Sequence, residues 1–334
     1  MKGGFGFALA AAALVAALLL AFAVGRFPVS PADLLAVTWA AITGGDSGRP
    51  AVMTTVILGV RGPRVLAAVL AGAALAGSGA SYQALFRNPL VSPDILGVSA
   101  GAAVGAGLGI LLDLPAVAIQ ALAFGFGLAA VGAAWGVAAS LRMLDPTLVL
   151  VLAGIALGSL FGAAVSLIKV LADPYNQLPA LTFWLLGSLA SVRASDVWTI
   201  LPAVLLGLVP LWFLGFRIDA LAMSEDEARA LGIETGRIRA AVILGATLAT
   251  AAVVSLAGQV GWVGLVVPHM ARFLVGPAFA RLLPASALLG AGFLLLVDTL
   301  ARSAGRQEVP LSVLTAVVGT PLFIALLARA RRGW

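Results

Sequence analysis

A chain of 334 residues that is 62% hydrophobic and only 10% charged, with a mean hydropathy of +1.11, cannot clothe itself with polar surface in water. It reads as an all-α, polytopic membrane protein. The absence of cysteine excludes disulfide, thiolate and iron–sulfur chemistry, and a single histidine, His269, excludes a cage of several His ligands. The net charge of +6 is almost wholly arginine, with Lys only at positions 2 and 169, and no Gly-Lys-Ser/Thr occurs, so the chain is not its own P-loop ATPase.

In chain order, the apolar run from Phe5 to Val24 is long enough to span a bilayer and is expected to be an uncleaved first span, although Ala21-Phe22-Ala23 resembles a cleavage site. Residues 25–56, with Pro28, Pro31 and Pro50, are expected to be a loop. A second span is expected over about Arg64–Gln83, followed by a break in RNPLVSP, where proline interrupts the helix. Spans three, four and five are expected over about Asp94–Leu112, Pro115–Leu141 and Pro146–Val170. The third carries Gly101, Gly105 and Gly109, and the fifth carries Gly154, Gly158 and Gly162. Small residues at this spacing let helices approach closely in lipid. Leu178–Leu189 is too short to cross and reads as re-entrant or interfacial. Further spans are expected over about Val197–Gly215, Ala240–Leu256, Trp262–Val275 (short, with Pro268), Pro284–Ala301 and Pro310–Leu327. That makes ten.

Between the sixth and seventh spans lies a polar island. Nine of the 34 charged side chains fall between Arg217 and Arg239. Ser224 followed by Glu227 forms a capping box, Glu225, Asp226 and Glu227 oppose the helix dipole, and Gly232 is a stop, so a short helix is expected over about Glu225–Leu231. Leu221, Met223, Ala228, Leu231 and Ile233 give it an apolar side that the chain itself is not expected to cover. A second protein docked there is one reading, and an ordinary inter-span loop is the other.

With ten spans, both termini share the island's side. That side then holds 12 basic residues and the other 8, which makes the island and both termini cytoplasmic. The segment Arg64–Ala76 matches Arg237–Ala249 at 8 of 13 positions. The two copies run in opposite directions across the membrane, as in the inverted repeats of many transporters, with breaks near Pro89–Pro93 and Pro268 following them. No nucleophile–base pair, metal cluster or paired carboxylate stands at catalytic spacing. A secondary transporter would need buried acidic groups, and Asp298 is the best candidate.

The ordered motifs R61-x-P-R64, Q83-A-L-F-R-N-P-L90, P93-D-I-L-G-V-S-A-G101, G258-Q-V-G-W-V-G-L-V-V-P-H-M270, D298-T-L-A-R302 and E308-V-P-L-S-V-L-T-A-V-V-G-T-P-L-F323 resemble the FecCD-type permeases of binding-protein-dependent importers for iron–siderophore, haem and cobalamin. The resemblance covers about residues 56–328. It implies one transmembrane permease domain over 1–334 and no cofactor or metal of its own. It implies a homodimer or close heterodimer in the bacterial inner membrane, with cytoplasmic ABC ATPase subunits and an extracytoplasmic binding protein as partners. The family's coupling helices match about residues 219–234, which assigns ATPase coupling to Leu221, Met223, Ser224, Glu227, Ala228, Leu231 and Gly232. By position, Arg61, Arg64 and Arg302 resemble the arginines that dock the binding protein. Gly154, Gly158 and Gly162 lie in the family's gate region. An iron–siderophore chelate is the cargo the resemblance favours, with haem and cobalamin behind it.

Overall fold

The computed structural model describes residues 2–25, 27–141, 146–223, 225–305 and 307–330, and among these there is no β-strand. In order the helices are α1 (Lys2–Ala23), α2 (Pro31–Thr43), α3 (Ala51–Thr54), α4 (Gly62–Leu85), α5 (Val98–Leu111), α6 (Ala116–Ser140), α7 (Pro146–Leu171), α8 (Gln177–Leu186), α9 (Ala194–Phe213), α10 (Gly215–Asp219), α11 (Glu225–Ala230), α12 (Thr235–Ala257), α13 (Val263–Val275), α14 (Phe279–Ser303) and α15 (Leu311–Ala330). Seven helical stretches among the described residues are long and apolar enough to cross a membrane: α1, the run Ala51–Leu85, α6, α7, α9, α12 and α14. A total of ten requires the shorter α5, α13 and α15 to count as well.

Three expectations need correction. Residues 25–56 are not one loop: Ser30 and Asp33 form a reciprocal capping box that starts α2, with Pro31 pre-set for the first turn. The second span begins earlier than Arg64, because Ala51–Leu85 is one helical run whose turn at Thr55–Arg61 widens to a π-helix just before Pro63. Pro268 does not break its helix. It sits inside α13, and the interruption is Gly258–Trp262, between α12 and α13.

The reason Pro268 is tolerated is visible. Proline cannot donate to the carbonyl four residues back, here Gly264. Gln83 of α4 supplies the missing donor: its Nε2 reaches the carbonyls of Gly264 (3.4 Å) and Leu265 (3.1 Å). The same device recurs at Pro284 in α14, where the orphaned carbonyl of Ala280 accepts from Trp212 Nε1 at 3.0 Å. In lipid such substitution by neighbouring side chains is what makes an interior proline affordable.

α4 is the central helix, packed on α14, α12, α13 and α9. Its crossing with α14 is so close that a Cβ on Gly72 would collide with the carbonyl of Gly290. Gly245, which aligns with Gly72 in the repeat, meets Gly207 of α9 in the same manner. The two copies therefore use the same position for a backbone-to-backbone crossing.

Candidate translocation site and its two ends

Two interruptions come together in the middle of the bundle. The first follows α4: Arg87 (φ 50°) turns the chain, a 3₁₀ turn spans Pro93–Leu96, and Gly97 (φ 81°) leads into α5. The second is Gly258–Trp262, entered at Gly258 (φ 70°) and left at Trp262 (φ 68°). Between them and α7 lies a cavity of about 470 Å³, lined in part by Asp94, Ser99, Gly158, Gln259, Trp262 and Ser312. Three hydrogen bonds knit its rim. Asp94 accepts from the Ser99 hydroxyl, Gln259 Nε2 donates to the Ser99 carbonyl (3.2 Å), and the Ser312 hydroxyl donates to the Gln259 carbonyl (2.6 Å).

At one end of α4 the polar island folds back on the bundle. Arg87 donates to the carbonyls of Leu221 and Met223, the latter at 2.7 Å. A turn earlier, Gln83 accepts from Arg272 Nη1 through its Oε1 (2.7 Å) and donates to the Val91 carbonyl (3.3 Å) as well as to Gly264 and Leu265. One buried amide thus ties the first interruption to the first turn of the helix after the second. Asp219 accepts from the Phe279 N–H (2.9 and 3.2 Å) and so caps α14 from outside it. Burial pushes its carboxyl above the usual range, against the Phe279 N–H and the charge of Arg281. His269 is buried with neither ring nitrogen hydrogen-bonded, and its ring stands edge-on to Phe273 at 5.3 Å.

The island's apolar side is largely covered by the chain itself, contrary to expectation. Leu221, Ala228 and Ile233 are buried in one cluster with Ile218, Val149 and Leu150. Met223 and Leu231 remain open, 42% and 54% exposed. Gly232 takes φ +72° and ends α11, with the Ile233 N–H reaching back to the Ala228 carbonyl. Glu227 lies in α11 and is engaged within the chain. Ser224, and with it the capping box, lies outside the described residues.

At the other end of α4 the three arginines sit together but turn inward. Arg61 is buried and donates to the carbonyls of Phe22 and Phe27. Arg64 grips Asp298 with Nε and Nη2 and Glu308 with Nη1 and Nη2, all at 2.7–3.0 Å. Arg302 donates to the Ala21 carbonyl and lies 3.9 Å from Asp298. None of the three offers an uncommitted guanidinium to an outside partner here. The glycines of α7 divide as well: Gly154 packs on the backbone of Ile95, while Gly158 and Gly162 face open space.

The sequence motifs located both the first interruption and Gln83. They missed the convergence of Asp94, Gln259 and Trp262. The signal that would have found it is glycine: Gly97 and Gly258, which open the α5 and second-break segments, both need positive φ.

Spanning helices and two interruptions meeting at one cavity mark a polytopic transport permease. The family model of the FecCD transport family matches residues 13–329, and the chain belongs to that family. Its relatives include the molybdate import permease MolB of Haemophilus influenzae, 38% identical over 322 residues (96% of this chain, 94% of that one). They also include the Fe(3+) dicitrate permease FecC of Escherichia coli, 34% identical over 325 residues (94% and 95%). A solved inward-facing ABC transporter of the metal-chelate type superposes with a TM-score of 0.86 at 35% identity, covering 98% of this chain and 99% of that one. The family comprises permease subunits of ABC importers. The chain is therefore a multi-pass transport subunit, and ATP hydrolysis and cargo delivery fall to its partner ATPase and binding protein.

Proposed function

We propose that this chain carries a ferric chelate of the siderophore type inward across the cytoplasmic membrane, working as a homodimer with both termini cytoplasmic. Residues 219–234 seat in the ATPase, through the open Met223 and Leu231 and the polar surface around Glu227 and Gly232, while Leu221 and Ala228 hold the segment to the bundle. The open face of Gly162 on α7 turns toward the second copy, while Gly158 opens on the cavity. The observation that carries this reading is the set of hydrogen bonds at that end of α4: Leu221 and Met223 to Arg87, just past the helix, and Gln83, a turn earlier, to Val91 in the first interruption and to Leu265 in the first turn of α13. A displacement of residues 219–234 by the ATPase is thereby passed to the segments that lead into the cavity, which a gradient-driven carrier would not need.

The docking face for the binding protein is the rim of Arg61, Arg64 and Arg302. Because these arginines are paired internally, a docking carboxylate acts by exchanging with Glu308, the more exposed partner of Arg64 at 36% against 1% for Asp298. The test is ⁵⁵Fe-chelate uptake into vesicles holding the chain, its ATPase and its binding protein. Uptake that needs all three and ATP supports the reading. ATPase stimulation by the binding protein without iron uptake would keep the importer and move the cargo to cobalamin or another chelate. Uptake without the ATPase would overturn it.

A further inference from the structure

The depth of the cavity follows from helix lengths. α7 runs from residue 146 to 171, so Gly158 lies at its middle. A Cβ on Gly97 would stand 3.6 Å from the Gly158 nitrogen, which sets the first interruption level with that middle. α5, at 14 residues, covers only about 21 Å, less than the ~30 Å hydrocarbon thickness, so its start cannot reach the membrane surface if its far end does. Asp94 is nonetheless exposed, and it is the one charged residue lining the cavity. An ionisable side chain at this depth has to face water or a bound polar group, because lipid does not solvate it.

The cavity also has its counter-charge in place. α5, α13 and α15 begin at it, at Val98, Val263 and Leu311, and each brings the fractional positive charge of a helix N-terminus. Asp94 stands on the same cavity wall, its carboxyl oxygen accepting from the Ser99 hydroxyl. A second anion would have to compete with it. A hydrogen-bond donor or a cation completes it.

We infer that this cavity is a transit site for cargo and that Asp94 is its specificity-determining residue, taking an ammonium or N–H group on the periphery of a chelate and excluding a free oxyanion such as molybdate. This rests on the permease reading above and adds the cargo chemistry to it.

The natural absence of cysteine makes the test direct. Gly158→Cys places a thiol where open space is available. In the full complex with its ATPase, in lipid nanodiscs, the thiol is titrated with a cationic (trimethylammonium-ethyl) and an anionic (sulfonato-ethyl) methanethiosulfonate, each rate normalised to a free thiol. The expected result is a cationic preference of about tenfold or more, which Asp94→Asn reduces to within about twofold and Asp94→Glu retains. Ferrioxamine B, a ferric chelate with a free ammonium, should slow labelling, and its neutral N-acetyl derivative and molybdate should not. Equal rates for the two reagents, a preference that survives Asp94→Asn, protection by molybdate, or a thiol that no reagent reaches would each overturn the inference. ATP- and binding-protein-dependent uptake would be untouched by those outcomes, so the two readings fail separately.

Discussion

Arg64, in the first turn of α4, closes on Asp298 of α14 with Nε 3.0 Å from each carboxylate oxygen and Nη2 at 2.9 Å, 234 residues away in sequence. The contact sits on the same helix pair that crosses at Gly72 and Gly290, so it locks a crossing already made intimate by glycine. Asp298 is 1% exposed, which makes the pair a buried one.

Removing one member should therefore cost far more than removing both. Asp298→Ala removes the buried carboxylate beside Arg302 and leaves Arg64 with only the partly exposed Glu308, at a cost of about 3–5 kcal/mol. The double change Arg64→Met with Asp298→Leu should recover the part of that owed to Arg64, but not the part owed to Arg302. Thermal unfolding of the purified protein in detergent decides it: single and double variants equally unstable would mean that the charge is not the issue. Glu308→Gln should change stability by no more than about 1 kcal/mol, because that arm is partly exposed, while strengthening binding-protein docking.

Gln83→Leu should separate hydrolysis from transport. The variant removes the donor to Val91, Gly264 and Leu265 and the acceptor of Arg272 in one step. ATPase subunits still assemble on residues 219–234, but the tie between the first interruption and the first turn of α13 is lost. The expected outcome is nucleotide hydrolysis near normal with uptake reduced about tenfold or more, since leaving several buried polar groups unpaired costs about 1–3 kcal/mol each. Coupled transport at the normal ratio would remove Gln83 from the route.

The glycines make opposite predictions by position. Gly72→Leu has no room against Gly290 and should abolish a folded, monodisperse product. Gly162→Ala meets nothing within 4 Å in the chain and should fold normally. If the open face of α7 meets the second copy, Gly162→Leu should shift the dimer toward monomer on size-exclusion chromatography without lowering the monomer's unfolding temperature.

Asp219 supplies a pH signature. Its folded-state value is raised above 3.8, chiefly by burial, so the folded chain holds that proton more tightly than the unfolded one. The sign follows: the contribution to stability is fully present below the unfolded value and is lost as pH rises through the folded one. The unfolding temperature of the natural chain, measured relative to Asp219→Asn, should fall on going from acidic pH toward neutrality. A difference that is flat or rises with pH would contradict the burial argument.

Much of the fold is legible in the sequence because membrane spans need about twenty apolar residues, and such runs declare themselves. The interior prolines are the instructive failure. Pro268 reads as a break in one dimension, yet Gln83, 185 residues away, supplies the donor that proline lacks, and no local pattern announces that. The apolar residues of the island failed similarly: Leu221, Ala228 and Ile233 look unpartnered until Ile218, Val149 and Leu150 are brought against them. The arginines at 61, 64 and 302 were found by motif, but their inward pairing depends on Asp298, Glu308 and carbonyls of Ala21, Phe22 and Phe27, which only the tertiary fold assembles.

In an importer of this kind, nucleotide on the partner ATPase should change access to the cavity between the two interruptions. The direct measurement is the labelling rate of Gly158→Cys by a membrane-impermeant thiol reagent. The reagent is applied from each side of vesicles that carry the complete importer, with and without trapped ATP. The predicted result is a reversal, with labelling favoured from one side in the nucleotide-free state and from the other when ATP is held. Access from the same side at the same rate in both states would contradict it.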